Sequence, residues 1–406
     1  MATRIIKTQV TGTSTQKFTL SCWIKKSSTP SNDQVIYDSY ADGNNRMTLY
    51  FNGTTGNLSF YGDVSGTTFV NIKTNRLFRD TSGWFNIVLR VDTTQGTDAA
   101  RIRLYVNGVE ETSFATASYP SSGFNLPMGT SSYQHAFGWY SGGGSSVFDG
   151  SMSHLNFIDG EDRTPDFFGA TDSTTGEWAI KTVISGVNYG NNGFFILKDG
   201  NSVTDQSGKG NNFTLNTGTL TKTEDCPSNV FCTMNPLSAG SNMAFTYGNT
   251  GIRNDAGSWQ SGLSTIAAAT GKYYWEVYVY GGGDNNTGVS LASAYGGNHS
   301  QVDAGRIVYS RNGYIYREGL SGQGNVSTGV TYGDGDYIGV SFDTENGILT
   351  FYKNGSAVTN GSTTDTSFLS SNNEYAVQCG LYNGGEFRFN FGNGAFGSTQ
   401  LTGTTY

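Results

Sequence analysis

The sequence predicts an all-β chain built as two strand-rich domains with an irregular stretch between them. Three observations predict it. Glycine supplies 57 of the 406 residues, about twice its usual share. Phe, Tyr and Trp reach 14% while charged residues are also held to 14%, a mixture that suits short strands and turns and is too aromatic for a disordered chain. Apolar and polar residues also alternate with a period of two in one segment after another, and Asn-Gly pairs fall between those segments.

Taken in order, Phe18, Leu20, Cys22 and Ile24 define one face of a strand, with Thr19, Ser21, Trp23 and Lys25 opposite. The pattern recurs at Phe85, Ile87, Leu89 and Val91, then at Ile102, Leu104 and Val106, with Arg101 and Arg103 facing away. Each strand is expected to bury one face. Asn52-Gly53 and Asn107-Gly108 accept the positive φ of tight primed turns, so antiparallel pairing follows. From about Gly169 to Ser241 the alternation weakens, yet Trp178, Phe194, Phe195, Ile196, Leu197 and Phe213 are interspersed, which predicts a packed connector and not a floppy linker. Ser264–Ala269 is the best helical candidate, one turn at most or a loop. Alternation is renewed at Tyr273, Trp275, Val277 and Val279, at Ile338, Val340 and Phe342, and at Phe387, Phe389 and Phe391, with turns at Asn312-Gly313 and Asn354-Gly355. The expected divisions are 1–169, a connector over 170–240, and 241–406.

A net charge of −8 without a basic block repels phosphate backbones, so nucleic acid is not an expected partner. Residues 1–10 lack a signal-peptide core and no stretch approaches the roughly 18 apolar residues that span a bilayer, so a soluble protein made in the cytoplasm, without membrane insertion, is expected. Four cysteines are too few for a disulfide framework. Cys22 and Cys379 sit in strand patterns as buried thiols, while Cys226 and Cys232 are close enough to bridge but wrongly spaced for zinc.

The first half resembles the laminin-G-like, or concanavalin-A-like, jelly roll through FTLSCWIKKS (18–27), WFNIVLRVDTT (84–94), RIRLYVNGVEETSF (101–114) and FDGSMSHLNFIDGEDRTPDFFG (148–169), in that order. The second half resembles a SPRY domain through GKYYWEV (271–277), VYSRNGYIYREG (308–319), GDGDYIGVSFDTENGILTFYKNG (333–355) and YAVQCGLYNGGEFRFNFG (375–392). NYGNNGFFILKDG (188–200), DQSGKGNNFTLN (205–216) and CPSNVFCTMNPL (226–237) resemble segments between such modules in virion proteins of marine tailed bacteriophages. The resemblance implies a concanavalin-A-like sandwich, an irregular connector and a SPRY-like sandwich.

Catalytic constellations are missing from the pattern. Glucanases of the jelly-roll fold carry Glu-x-Asp-x-x-Glu, which sets two carboxylates on one face, and no such spacing occurs. Asp159, Glu161 and Asp162 read as a solvated loop. His154 lies in a strand, His135 and His299 in glycine-rich loops, and none adjoins a nucleophile motif, so each reads as structural or solvated. Ser207-Gly208-Lys209-Gly210 lacks the first glycine and the final hydroxyl of a phosphate loop. Asp42 and Asn44, Asp334 and Asp336, and Asp284 to Asn286 offer hard oxygens that would suit calcium, but without calcium-loop spacing, and the same residues are what turns demand. No other cofactor is expected.

Sugar recognition calls for aromatic rings with polar groups around a shallow site. Trp139 and Tyr140 in HAFGWYSGGGSS are the leading pair, and Tyr295 with Asn298 and His299 forms a similar loop in the second half. The expectation is a non-enzymatic surface protein of a phage virion, a capsid decoration or knob or a fibre or tail accessory. Its partners would be other virion proteins, further copies of itself, and a host-surface glycan or protein. The alternatives are a virion-associated glycan depolymerase and a cellular lectin or scaffold.

Overall fold

A computed structural model describes residues 3–198, 202–293, 305–318, 324–365, 368–370 and 372–392. The chain forms two compact units, Met1–Val230 and Phe231–Tyr406.

Among the described residues of the first unit, two antiparallel sheets face each other. The eight-stranded sheet runs from edge to edge through Phe114–Ser118, Thr67–Leu77, Asn57–Val64, Asn45–Phe51, Gln34–Asp42, Gln134–Phe137, Arg4–Thr8 and Thr214–Thr217. The six-stranded sheet runs through Phe194–Ile196, Gly150–Asp159, Lys17–Lys26, Phe85–Asp92, Ile102–Val106 and Val109–Glu110. Phe18, Leu20, Cys22 and Ile24 lie wholly buried with Met47, Leu49, Phe60 and Ile72 in one core, as the alternation predicts.

The six-stranded sheet departs from the expected single buried face. Thr19, Ser21, Trp23 and Lys25 are buried as well, because the described residues of 160–198 and 202–230 fold back over that side. Val88, Tyr105, Ile158, Phe168, Tyr189 and Phe195 form a second, smaller core there. Lys25 Nζ lies 2.8 Å from Asp225 Oδ2, and the Trp84 indole N–H donates to the other oxygen of Asp225 at 3.1 Å. Arg101 does not face solvent either: its guanidinium is buried and donates to the carbonyls of Gln95, Gly96 and Pro120. The residues expected as connector are divided between the units. Phe194–Ile196 and Thr214–Thr217 are edge strands of the two sheets, whereas Met234–Ala239 pairs within the second unit.

Seven-stranded sheets make up the described part of the second unit. One runs through Met234–Ala239, Gln260–Ala268, Tyr375–Leu381, Asn285–Leu291, Arg306–Ser310, Tyr314–Glu318 and Val326–Ser327. The other runs through Met243–Thr246, Gly251–Asn254, Gly385–Asn390, Lys272–Gly282, Tyr337–Asp343, Ile348–Lys353 and Ser356–Thr364. Trp275, Val277, Val279, Ile338, Val340, Phe342, Phe387 and Phe389 meet in its core. Ser264–Ala269 is not helical. It lies almost entirely in the strand Gln260–Ala268, where pairing with Tyr375–Leu381 outweighs the helical preference of three alanines.

Asn107 and Gly108 take φ of 49° and 77°, and Asn354 and Gly355 take 49° and 82°, the signature of primed turns. Asn52-Gly53 differs: the positive φ falls at Gly56, and Asn52 Oδ1 caps the Thr55 N–H at 3.0 Å. All four cysteines are free thiols. Burial pushes those of Cys22 and Cys379 up to about 12.

Candidate functional site

The site begins with the alternation of Asn45–Phe51. Met47, Leu49 and Phe51 point into the core, so Arg46, Thr48 and Tyr50 stand on the outer face of the eight-stranded sheet. The next strand sets Tyr61 directly opposite Thr48. With Asp33, Val35, Tyr140 and Ser146 these side chains line a solvent-open cleft of about 220 Å³.

Arg46 organises one wall. Its guanidinium carbon lies 5.3 Å from the Tyr61 ring centroid and 5.2 Å from that of Tyr140, within reach of cation–π attraction. Nε sits 3.3 Å from Asp63 Oδ2, and Nη1 donates to the Tyr140 hydroxyl. Asp63 also accepts from the Tyr61 hydroxyl at 2.8 Å and from Thr68 at 2.9 Å. The Tyr140 ring meets Tyr40 edge-on at 5.7 Å. Both flanking rings are therefore held in place before any ligand arrives.

On the other wall, Asp33 Oδ1 accepts the Gly53 N–H at 2.8 Å. Beneath the floor, buried Asp38 accepts from Thr48 at 2.8 Å and from the Ser141 N–H at 2.9 Å. Burial raises the Asp38 pKa, and the hydrogen bonds only partly oppose it. Burial also raises the pKa of Tyr140, against the pull of Arg46, and that of Tyr50, with Asp33 adding to it. Both phenols are accordingly neutral at neutral pH. The arrangement can stack a ring against tyrosine faces and bond its hydroxyls. Asp33 is the one carboxylate among the described lining residues, whereas glycoside hydrolysis uses two.

Of the residues picked from sequence, Tyr140 lines the cleft and Trp139 does not. Trp139 is half-buried, bridges Val147 and donates its indole N–H to the Gly144 carbonyl at 3.0 Å, closing its own turn. Tyr295, Asn298 and His299 lie outside the described residues. Arg46, Tyr50, Tyr61 and Asp33 escaped the sequence reading, which sought aromatics on loops. For Arg46 and Tyr50 the signal was the outward half of NRMTLYF, where a cation and a tyrosine share the face that alternation turns away from the core; Tyr61 and Asp33 join them only through strand pairing and the fold.

The calcium candidates are engaged by their own turns and neighbours. Asp42 Oδ1 accepts the Asn44 N–H at 2.8 Å and an Asn45 amide N–H at 3.1 Å. Asp334 pairs with Arg311 at 3.0 Å, and Asp336 with Lys353 at 3.1 Å. Among the described residues, no group of three or more His, Cys, Asp or Glu could hold a metal ion. Asp159 is not part of a solvated loop: it is 1% exposed and accepts the N–H groups of Thr13, Ser14 and Asn192. Glu161 pairs with Arg163 and Asp162 with Arg90. His135 sits in the strand Gln134–Phe137, wholly buried, and not in a glycine-rich loop.

Comparison with known families matches residues 3–166 to Laminin_G_3, of the concanavalin A-like lectin/glucanases superfamily, and residues 272–394 to the SPRY domain. The chain thus carries an N-terminal concanavalin A-like domain followed by a C-terminal SPRY domain. No curated protein sequence matches it. Among solved structures it is similar to the SPRY domain of human HERC1, at 19% identity and a TM-score of 0.30 over 41% of this chain and 99% of that one. It is also similar to the TRIM65 PSpry domain, at 15% identity and a TM-score of 0.31 over 39% and 89% of the two chains. A heptameric SAP-like pentraxin from Limulus polyphemus matches at 17% identity and a TM-score of 0.30 over 40% and 72%. No described helix is long and apolar enough to cross a membrane.

Proposed function

We propose that this protein is a non-enzymatic adhesion module whose first unit binds carbohydrate in the cleft lined by Tyr50, Tyr61 and Tyr140. The open tyrosine-walled cleft on a lectin-like domain carries the reading. It offers stacking faces, neutral phenols and a carboxylate without enclosing a substrate. The setting we propose is the surface of a tailed-phage particle, as capsid decoration or tail accessory, with a host-surface glycan as ligand. Residues 188–237, which resemble spacer segments of such virion proteins, support that setting. Many copies on one particle would turn weak single sites into useful avidity.

Binding of the full chain to host-surface polysaccharide tests this. Tyr61→Ala and Tyr140→Ala are expected each to weaken binding by about 1–2 kcal/mol, the usual cost of truncating an aromatic anchor at a binding surface, while thermal melting stays cooperative. Reducing-sugar release is expected to stay flat. Undiminished binding by both variants would remove the cleft from the account, and sustained sugar release would show an enzyme. Purified particles without peptides of this chain would refute the virion setting.

A further inference from the structure

Resting on the carbohydrate reading, we infer that the cleft takes a single neutral sugar ring and turns acidic sugars away, because Asp33 is its unbalanced charge. Arg46 is neutralised within the wall by Asp63. Below the floor, buried Asp38 interacts electrostatically with both Arg4 and Arg46. Asp33 has no such counterpart. Its Oδ1 is taken by the Gly53 N–H, and Oδ2 has no partner among the described residues. A carboxylate with a free oxygen accepts hydroxyl groups through charge-assisted hydrogen bonds, the stronger kind. A second carboxylate on the ligand meets repulsion there, and the net charge of −8 on the chain adds to it at long range.

Size points the same way. About 220 Å³ lies below the roughly 300–1,000 Å³ of sites that enclose larger ligands, so one ring is held and the rest of a glycan stays in solvent. The three tyrosines supply faces for that ring, and the positive end of Arg46 is already committed to Tyr140 and Asp63. An acidic sugar would have to displace an internal ion pair to gain a cation.

The experiment is a glycan array of matched pairs, galactose against galacturonic acid oligomers and glucose against glucuronic acid oligomers of equal length. It is probed at low salt with the full chain and with Asp33→Asn, which keeps the oxygen that accepts from Gly53. Wild type should bind at least one neutral member and reject its acidic twin. Asp33→Asn should raise binding of that twin by about tenfold, the worth of one charge several ångströms away at an intermediate effective dielectric. Raising salt should do the same for wild type. Equal wild-type binding of both twins, or no gain in Asp33→Asn with an unchanged melting temperature, overturns the charge selection and leaves the carbohydrate site standing. No binding to any array member by wild type overturns both.

Discussion

His135 shows how far a residue's setting can depart from its local sequence. Beside a glycine-rich run it reads as a loop residue, structural or solvated, and the structure makes it structural: it is fully buried in a strand among Phe157, Phe194 and Phe213, with the Tyr37 hydroxyl 2.8 Å from Nδ1. Burial, with Lys7 adding to it, lowers its pKa from 6.5 to about 3. The unfolded chain therefore binds a proton below pH 6.5 that the folded chain refuses, so stability is full above 6.5 and falls as pH drops towards 3. By pH 4.5 this single group should cost about 2–3 kcal/mol. Chemical denaturation of wild type and His135→Phe across pH 4–8 checks it. The variant loses the Tyr37 partner at every pH, but its deficit should shrink below pH 6.5, and a pH-independent gap would contradict a neutral buried imidazole.

At the scale of elements, Gly108 shows why a turn can serve two purposes. Its φ of 77° closes the hairpin between Ile102–Val106 and Val109–Glu110. A Cβ there would also stand 2.5 Å from the Trp178 ring, and one at Gly169 would stand 2.4 Å from the same indole. The two glycines make the slot that lets the strand Trp178–Ile180 lie against the unit. The Asn-Gly signal foretold the turn, whereas nothing local foretold the tryptophan on it. Gly108→Ala should destabilise by about 1–3 kcal/mol through overpacking and strain at positive φ. Gly96→Ala, which meets nothing within 4 Å, serves as the control. Similar melting temperatures for the two variants would show that the indole is not seated there. The strand Lys17–Lys26 teaches a related lesson. Its inward face was legible because Phe18, Leu20, Cys22 and Ile24 repeat every second residue. The burial of Thr19 and Lys25 was not, since their partners, the Glu161 carbonyl and Asp225, lie 142 and 200 residues away.

For the whole molecule, the first unit ends near Val230 because residues beyond 169 complete both of its sheets and its core. Phe194, Ile196 and Phe213 belong to the main core cluster, and Asp225 balances buried Lys25. A fragment of residues 1–169 would lose an edge strand from each sheet and expose that apolar surface to water. It should be insoluble or lack a cooperative melt, while residues 1–230 should melt cooperatively. Equal behaviour of the two fragments would mean that the later strands are ornaments. By itself the sequence determined the all-β class, the strand faces, most turns and the two domain types, because these rest on period-two alternation and on short motifs read within a few residues. The tertiary structure alone decided what covers the second face of the six-stranded sheet, where the first unit ends, and that Asp33, Arg46, Tyr61 and Tyr140 share one cleft. Those outcomes depend on which distant strands pair, and pairing is settled by the burial and charge balance of the folded whole.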